Sequence, residues 1–354
     1  MTVIRNANVD GVLCAITVEN GKIIAVTAEE AYTPVTAKEI DAEGARIVSG
    51  LIDVHTHGIM GMDTMDGNNL HELAKAYFEA GTTTVYPTTV TASPEKLHEI
   101  LSQDISFPEG ADIPGFHVEG PYINEAQAGA QDKAFIKAPD KDEFARLPNA
   151  AILTLAPELE GSIELIKDTS ACIALGHTMA DDQTTAAAFR AGAKCLTHTC
   201  NVMPPFHHLN PGPIGAAIEE DAYVQTITDG VHLRRSMVLA LYRIFGVRRM
   251  VIISDSMRAT GLGDGVYMLG TVRATVTNGV ARTDEGRVAG STTTLYGCVQ
   301  RAIEFGIPPK DAYAMASQTP AEMMGLKKGK IEVGYDAEFL LLDENWRMIR
   351  PIKL

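Results

Sequence analysis

Histidines and carboxylates spaced like metal ligands recur along this 354-residue chain. His55 and His57 are two residues apart, and in a β-strand such residues lie on the same face, so both imidazoles can face one ion. Four further apolar runs end in a residue of the same kind: Glu119, His177, His198 and Asp255. Imidazole and carboxylate ligands without a thiolate favour a catalytic Zn, Fe, Mn or Co site over a structural cysteine-rich zinc site.

Five of these residues also have a purely structural explanation. His55 and His57 could simply be two polar residues at the end of a strand. Glu119 could cap the loop that begins at Gly120, and His177 and His198 could be core histidines with satisfied hydrogen bonds. Their shared position at the ends of strand-like runs is what favours a common metal site.

Two residues are candidates for the proton transfers and for substrate contact. Asp255 follows the apolar run Met250–Ile253, and an ionised carboxylate at the end of a buried strand needs a cation or a hydrogen-bond donor. Such an aspartate can take a proton from water and then hand it to a leaving amine. His232, in the segment Asp229–His232, is predicted to contact the substrate; the alternative is a polar residue at the start of a helix.

Two loops are predicted to border the same site. The proline-rich loop 201–212 contains His207 and His208, which are among its few potentially cationic side chains, and such loops often carry substrate contacts. Ala289, Gly290 and Ser291 precede a predicted helix. Ser291 could be its N-cap, or the free backbone N–H groups there could bind an anion.

The elements that must position these residues alternate between strands and helices. Strand-like apolar runs lie at 47–54, 82–87, 115–118, 151–155, 171–175, 194–197, 224–228 and 250–254. Runs typical of helices lie between many of them, at 69–79, 94–101, 181–191 and 234–245. This alternation predicts the α/β class and a parallel (β/α)8 TIM-like barrel. Because all strands of such a barrel end on one face, the candidate ligands would converge there.

The two ends of the chain are predicted to form β-structure together. The segments 12–18 and 22–26 are separated by Glu19-Asn20-Gly21, and Asn-Gly is a strong signal for a hairpin. A further strand-like run lies at 338–342. We therefore expect a small β-sandwich domain built from residues 1–48 and 326–354, beside a barrel domain over residues 49–325.

The composition excludes several classes of partner. With 30 Lys and Arg against 45 Asp and Glu, the net charge is −15, which argues against nucleic acid and anionic membrane surfaces. No apolar stretch reaches the ~18 residues that a transmembrane helix needs, and no signal peptide is visible. The five cysteines form no CxxC pair, which favours a reducing, cytoplasmic location.

Taken in order, the motifs resemble those of the N-acetylglucosamine-6-phosphate deacetylases, within the amidohydrolase superfamily. The resemblance covers nearly the whole chain. The matching segments are 50–58 (GLIDVHTHG), 117–122 (HVEGPY), 128–131 (AGAQ), 153–158 (LTLAPE), 176–178 (GHT), 197–198 (TH), 203–208 (MPPFHH), 229–232 (DGVH), 254–259 (SDSMRA) and 289–291 (AGS). The combination of HxH and a late Asp marks only the superfamily, whereas the other motifs are far more specific.

The resemblance implies an enzyme that hydrolyses N-acetyl-D-glucosamine 6-phosphate to D-glucosamine 6-phosphate and acetate, in amino-sugar catabolism. It implies that Glu119, His177 and His198 bind one divalent metal. His55 and His57 would bind a second ion, with Glu119 as the bridge. Asp255 would lie at the metal and act as general base and then acid while an activated water attacks the acetamide carbonyl. His232 would meet the acetyl or sugar group.

The resemblance also implies further substrate contacts and a homodimer. These contacts are Ala130, Gln131, Asn201, Val202 and the residues around Gly290; from their place in the same motifs, His207, His208 and Asp229 join them as candidates. Leu209 stands where many relatives carry an arginine that meets the substrate phosphate, and leucine offers phosphate no hydrogen bond.

The leucine at position 209 is compatible with other substrates or functions. One is the same chemistry on a non-phosphorylated N-acetyl sugar, on N-acetylgalactosamine 6-phosphate or on another amide. A more remote alternative is a non-catalytic barrel that serves as a scaffold, against which the complete ligand set argues.

Overall fold

The computed structural model describes residues 1–107 and 109–354. Its strands, numbered along the chain, are β1 (Thr2–Val9), β2 (Val12–Glu19), β3 (Lys22–Ala28), β4 (Lys38–Asp41), β5 (Arg46–Ser49), β6 (Leu51–Thr56), β7 (Gly58–Ile59), β8 (Met62–Asp63), β9 (Thr82–Thr89), β10 (Phe116–Glu119), β11 (Ala150–Leu155), β12 (Cys172–Leu175), β13 (Cys195–Leu196), β14 (Tyr223–Ile227), β15 (Met250–Ile253), β16 (Gly265–Leu269), β17 (Val272–Thr277), β18 (Val280–Thr283), β19 (Glu338–Leu342) and β20 (Met348–Lys353). Its α-helices are α1 (Leu70–Glu79), α2 (Pro94–Leu101), α3 (Lys141–Phe144), α4 (Ser162–Asp168), α5 (Asp182–Ala191), α6 (Gly212–Glu219), α7 (Arg235–Phe245), α8 (Leu295–Glu304), α9 (Pro309–Met315) and α10 (Gln318–Met324).

Eight parallel strands form a nearly closed barrel, in the order β15-β14-β13-β12-β11-β10-β9-β6. The predicted (β/α)8 architecture is therefore confirmed. At the seam between β6 and β15, Asp53 Oδ1 accepts a hydrogen bond from the backbone N–H of Ser254 at 3.3 Å. The N–H of Asp255 also donates to the carbonyl of His55 at 2.9 Å.

The helices cover the barrel because their apolar residues recur on one face. In α1 the buried residues are Leu70, Leu73, Ala74 and Tyr77, the spacing of a 3.6-residue repeat. The predicted helices at 94–101 and 181–191 begin after true caps, since Ser93 and Asp181 accept hydrogen bonds from backbone N–H groups of the first turn. No helix in the described part of the chain is long and apolar enough to span a bilayer.

Both ends of the chain contribute to a second, seven-stranded sheet. Its order is β20-β19-β5-β1-β2-β3, with β4 paired to β1. The predicted β-structure built from both termini is thus confirmed; its strands pair as one continuous sheet around its own apolar core, rather than as the two separate sheets that a β-sandwich implies. In its β2–β3 hairpin, Asn20 and Gly21 have φ of +49° and +75°, the left-handed conformations that a two-residue turn of this kind requires.

The predicted strand at 47–54 is wrong in one respect, because it belongs to two sheets. Residues up to Ser49 pair in the terminal sheet, and residues from Leu51 pair in the barrel. Gly50 makes the crossover, where a Cβ atom would lie 2.1 Å from Thr83 Oγ1. The predicted domain boundaries at 48/49 and 325/326 remain a proposal, which this change of sheet supports for the first of them.

The sequence interpretation assigned no element to the three-stranded sheet β16-β17-β18, which follows the last barrel strand. Its second hairpin turns at Asn278 and Gly279, both with positive φ. Asn278-Gly279 is the same hairpin signal as Asn20-Gly21 near the N-terminus. We call residues 265–288 the insert.

Candidate active site

The candidate ligands meet at the carboxyl ends of the barrel strands. His55 lies in β6 and Glu119 ends β10, whereas His177, His198 and Asp255 each come two residues after a strand. Those last three have φ of +48°, +26° and +50°, a left-handed backbone that is unusual for residues other than glycine. Such conformations often occur at functional sites, where the surrounding structure holds them.

Glu119 lies at the centre of this cluster. Its Oε1 atom is 3.3 Å from His55 Nε2, 3.2 Å from His177 Nε2 and 3.0 Å from His198 Nε2. Its Oε2 atom is 3.4 Å from His57 Nε2. Asp255 Oδ1 completes the group at 3.2 Å from His57 Nε2. The sequence-predicted ligands are therefore brought together in one buried cluster.

Hydrogen bonds on the far side of two imidazoles fix their protons. His57 Nδ1 lies 3.1 Å from the carbonyl of Thr88, and His177 Nδ1 lies 2.8 Å from the carbonyl of Gln127. Because a carbonyl only accepts, Nδ1 must carry the proton, and in the neutral ring Nε2 presents a lone pair to the cluster. This is the arrangement that metal-binding histidines adopt.

Lone pairs on the imidazole nitrogens and carboxylate oxygens of this cluster face one another. They would repel unless protons or a cation lie between them. His177 Nε2 and His198 Nε2 are 3.1 Å apart, and both face the Glu119 carboxylate. Two groups of three ligand atoms share Glu119: His55, His57 and Glu119 on one side, and Glu119, His177 and His198 on the other. The residues present therefore fit a divalent metal, with Glu119 between two binding positions.

The pKa values reflect the same concentration of charge. Burial alone would lower the pKa of His55, but Glu119 and Asp255 outweigh it and raise that pKa to about 9. Burial would raise the pKa of Asp255, yet the neighbouring imidazoles of His57 and His55 lower it to about 2. A carboxylate pair that holds protons on histidine this strongly also attracts a metal cation, which competes with those protons.

A second set of contacts holds Glu119 in place. Gln131 donates from Nε2 to Glu119 Oε2 at 2.6 Å and accepts the backbone N–H of Thr91 at 2.7 Å. His117, two residues before Glu119, is bonded through both ring nitrogens, to the carbonyl of Val54 and to Thr154 Oγ1. Its pKa lies well below the usual value because the ring is buried, so it is a neutral part of the barrel interior.

His232 is oriented toward the cluster by Asp229. His232 Nδ1 lies 2.8 Å from Asp229 Oδ2, and Ser291 Oγ donates to the same oxygen at 3.1 Å. The other ring nitrogen, Nε2, is 4.0 Å from Asp255 Oδ2. Burial opposes protonation of His232, but the Asp229 carboxylate more than compensates and raises its pKa.

A cavity of about 280 Å³ opens above the cluster. Most of the sequence-predicted site residues line it, namely His57, Glu119, Ala130, Gln131, His177, His198, Asn201, Val202, His232, Asp255 and Gly290. The other candidates lie behind or outside its walls: His55, Asp229, Ala289 and Ser291 are behind them, and His207 and His208 are on the exposed part of loop 201–212.

The sequence interpretation missed the contribution of the insert to this cavity. Leu269, Arg287 and Val288 line one wall. The Asn278-Gly279 turn could have predicted the hairpin. No local signal indicated that its far end would return to the mouth of the barrel.

Comparison with known proteins gives a consistent picture. Residues 46–353 match the model of the amidohydrolase family. An N-acetylglucosamine-6-phosphate deacetylase of Bacillus subtilis (strain 168) is 34% identical over 357 residues, covering 95% of this chain and 90% of that protein. An N-acetylgalactosamine-6-phosphate deacetylase of Escherichia coli O157:H7 is also 34% identical, over 88% of this chain and 86% of its own length.

A solved structure shares the same fold throughout. The N-acetylglucosamine-6-phosphate deacetylase of Thermotoga maritima superposes with a TM-score of 0.88 at 31% identity, covering 99% of this chain and 96% of that one.

Proposed function

The chain belongs to the amidohydrolase family, and on that premise we propose that it hydrolyses the acetamide of N-acetylglucosamine 6-phosphate to acetate and glucosamine 6-phosphate. The observation that carries the proposal is the buried cluster around Glu119, which borders the cavity and brings the predicted ligands together, with Asp255 beside His57. Relatives that span nearly the whole chain are named for this reaction.

We propose that the cluster holds one or two divalent ions, with His55, His57, Glu119, His177, His198 and Asp255 as their ligands. An ion bound there would polarise the acetyl carbonyl and lower the pKa of a water molecule. We propose that the ion is one of the metals that imidazole and carboxylate ligands bind well, namely Zn, Fe, Mn or Co.

Asp255 moves the proton in this proposal. Its low pKa keeps it ionised near neutral pH, so its carboxylate accepts a proton from the attacking water. The same group then donates that proton to the sugar nitrogen, the C–N bond breaks, and acetate leaves. Water supplies the second oxygen of the acetate and the proton that the sugar nitrogen takes up, so the reaction is balanced.

His232 stabilises the oxygen of the acetyl group. Asp229 holds the ring through Nδ1, which leaves the Nε2–H of the protonated ring free to donate toward the cavity. Negative charge develops on the acetyl oxygen as water attacks, and a donor already in place stabilises that charge without reorganisation. Ala130, Gln131, Asn201, Val202 and Gly290 then form the walls that hold the sugar.

N-acetylgalactosamine 6-phosphate is a second candidate substrate. One relative, 34% identical over 88% of this chain, is named for that sugar. The two sugars differ only in the direction of one hydroxyl group, and the reacting acetamide is the same.

Acetate release tests the proposal directly. Metal-supplemented protein is incubated in parallel with N-acetylglucosamine 6-phosphate, N-acetylgalactosamine 6-phosphate and unphosphorylated N-acetylglucosamine, and acetate and primary amine are quantified. We expect equal amounts of both products, and the fastest release from N-acetylglucosamine 6-phosphate. Absence of acetate in all three reactions would refute the proposed function.

We also propose that the protein is a homodimer. Met179, Phe206, Leu209 and Val231 are large apolar side chains exposed on loops that follow barrel strands, and exposed apolar surface of this kind marks interaction sites. Light scattering coupled to size-exclusion chromatography tests this, with twice the 38.0 kDa chain mass as the expected result. A cytoplasmic location remains a prediction from the cysteine pattern.

A further inference from the structure

We infer that Arg287, on the insert, binds the phosphate group of the substrate; this inference rests on the proposed function. A sugar phosphate brings a doubly charged anion into the cavity, far from the acetamide end. Among the residues that the structure describes, Arg287 is the sole lysine or arginine lining this cavity. The protein as a whole is strongly acidic, with a net charge of −15, so a local cation is needed to offset the repulsion of an anion.

A contact with Gly129 holds the Arg287 side chain at the cavity that the candidate metal ligands also line. Its Nη1 atom donates to the carbonyl of Gly129 at 3.1 Å. Gly129 itself lies against the cluster, since a Cβ atom there would be 3.4 Å from His177 Cε1. Gly129 therefore lies between the guanidinium of Arg287 and the candidate ligand His177. The guanidinium is thus at the rim of the cavity.

The insert fixes the backbone that carries Arg287. The N–H of Thr283 donates to the carbonyl of Arg287 at 2.8 Å, and Arg282 forms a β-bridge with Val288. The guanidinium thus projects from a closed turn at the end of β18 rather than from a free loop.

Donor groups of Arg287 remain available for a ligand. The carbonyl of Gly129 takes one N–H of Nη1, and Glu285 lies 3.4 Å from Nε with 73% of its side chain exposed. Nη2 has no hydrogen-bond partner within residues 1–107 and 109–354. A guanidinium offers five N–H donors in a planar fork, which suits two-point binding of a phosphate.

Other cations near the mouth are less suitable. Arg258 is already paired, with its Nη2 atom 2.8 Å from Asp66 and 3.3 Å from Asp63. His207 and His208 lie outside the cavity wall, and the adjacent Leu209 is 75% exposed and apolar. The geometry therefore favours Arg287.

The test compares phosphorylated and free sugar in Arg287→Ala and Arg287→Lys. For Arg287→Ala we expect KM for N-acetylglucosamine 6-phosphate to rise about tenfold to hundredfold, the loss typical of hydrogen bonds between charged groups, with kcat changed far less. Activity on unphosphorylated N-acetylglucosamine should change less than about twofold, and Arg287→Lys should recover part of the loss because it restores charge without the fork.

Arg273→Ala is the matched control, because Arg273 is an exposed arginine of the same insert that pairs with Asp284 and lines the neighbouring cleft with Arg287, but not this cavity. It removes the same charge and should leave the preference for phosphorylated sugar unchanged. An unchanged ratio of kcat/KM for the two sugars in Arg287→Ala would overturn the inference, and so would an equal loss in Arg273→Ala.

A binding measurement separates this inference from the proposed reaction. Calorimetric titration with glucosamine 6-phosphate and with glucosamine needs no turnover. Tighter binding of the phosphorylated sugar to wild type, lost in Arg287→Ala, supports the inference even if no acetate is released. Equal affinity of wild type and Arg287→Ala for glucosamine 6-phosphate overturns it even if the deacetylation is found.

Discussion

The two carboxylate oxygens of Glu119 face different sets of side chains in the site. Oε1 faces His55, His177 and His198, whereas Oε2 faces His57 and accepts a hydrogen bond from Gln131. The carboxylate is thus shared by both ligand groups while an amide restrains its rotation. The chemistry proposed for Asp255 depends on this arrangement, because a carboxylate held in place also limits where the water and the acetyl group can lie.

Replacing Asp255 by asparagine removes the proton acceptor while keeping the shape and one ligand oxygen. We predict that Asp255→Asn retains bound metal but loses about 10² to 10⁴ in kcat, the range for a general acid–base group. Metal content by mass spectrometry and acetate release are measured on the same samples.

Asp168→Asn serves as the control, since Asp168 pairs with Lys141 on the surface and is 55% exposed. Its activity should equal that of wild type. A kcat for Asp255→Asn within about threefold of wild type would remove Asp255 from the catalytic role.

At the scale of elements, the passage from terminal sheet to barrel depends on Gly50. Its N–H donates to the carbonyl of Glu338 in β19 at 2.9 Å, and Leu51 then enters the barrel. A side chain has no room there, because Thr83 of β9 packs directly over the glycine.

We predict that Gly50→Ala destabilises the protein by about 2 kcal/mol, as expected for overpacking in a tightly packed interior. The added methyl would meet Thr83 at 2.1 to 2.8 Å and push its hydroxyl away from Glu338, to which it donates at 2.8 Å. Denaturant unfolding followed by fluorescence measures the change in midpoint.

Gly263→Ala is the comparison, since a Cβ atom at Gly263 meets nothing within 4 Å and its φ is not positive. It should change the stability by less than about 0.5 kcal/mol. Equal midpoints for Gly50→Ala and wild type would mean that the crossover tolerates a side chain.

Most of the barrel strands could be predicted because they are short apolar runs that end in a polar residue. The shared orientation of His55 and His57 could also be predicted, because it depends only on their spacing of two residues within a strand. The split at Gly50 could not be predicted, since both strands continue one apolar run and only packing against Thr83 shows where the sheet changes. The place of Arg287 in the cavity wall depends on how the whole insert folds back, which no local pattern contains.

At the scale of the molecule, a buried ionic network joins the terminal sheet to the barrel. Lys328 contacts Glu338 of β19 and lies 2.6 Å from Asp112, while Glu338 accepts hydrogen bonds from Thr83 and Thr84 of β9. Burial raises the pKa of Glu338 to about 7, although Lys328 opposes this. Because the network lies between the terminal sheet and the barrel, its charge balance affects the stability of this interface.

We predict that Lys328→Met destabilises the protein by about 3 kcal/mol, because the buried carboxylate of Glu338 is left without its cation, whereas Asp112 keeps its contact with Lys353. The loss should be larger at pH 8 than at pH 5. Glu338 binds a proton more tightly in the folded than in the unfolded chain, so its contribution is present at low pH and is lost as the pH rises toward 7 and above. Removing Lys328 disfavours the ionised carboxylate further, which enlarges that loss.

Calorimetric melting temperatures at both pH values provide the measurement. Lys310→Met is the control, because Lys310 pairs with Asp10 at an exposed site and should change stability little at either pH. A destabilisation by Lys328→Met that is the same at pH 5 and pH 8 would contradict the assignment of the network.

The metal dependence of acetate release is the most direct test of the central claim. The protein is treated with a chelator, dialysed, and titrated separately with Zn²⁺, Fe²⁺, Mn²⁺ and Co²⁺, while bound metal and acetate release from N-acetylglucosamine 6-phosphate are measured on each sample. We predict that release falls at least about a hundredfold without metal and returns in proportion to the metal bound, up to two ions per chain. Undiminished acetate release from protein that carries no metal would contradict it.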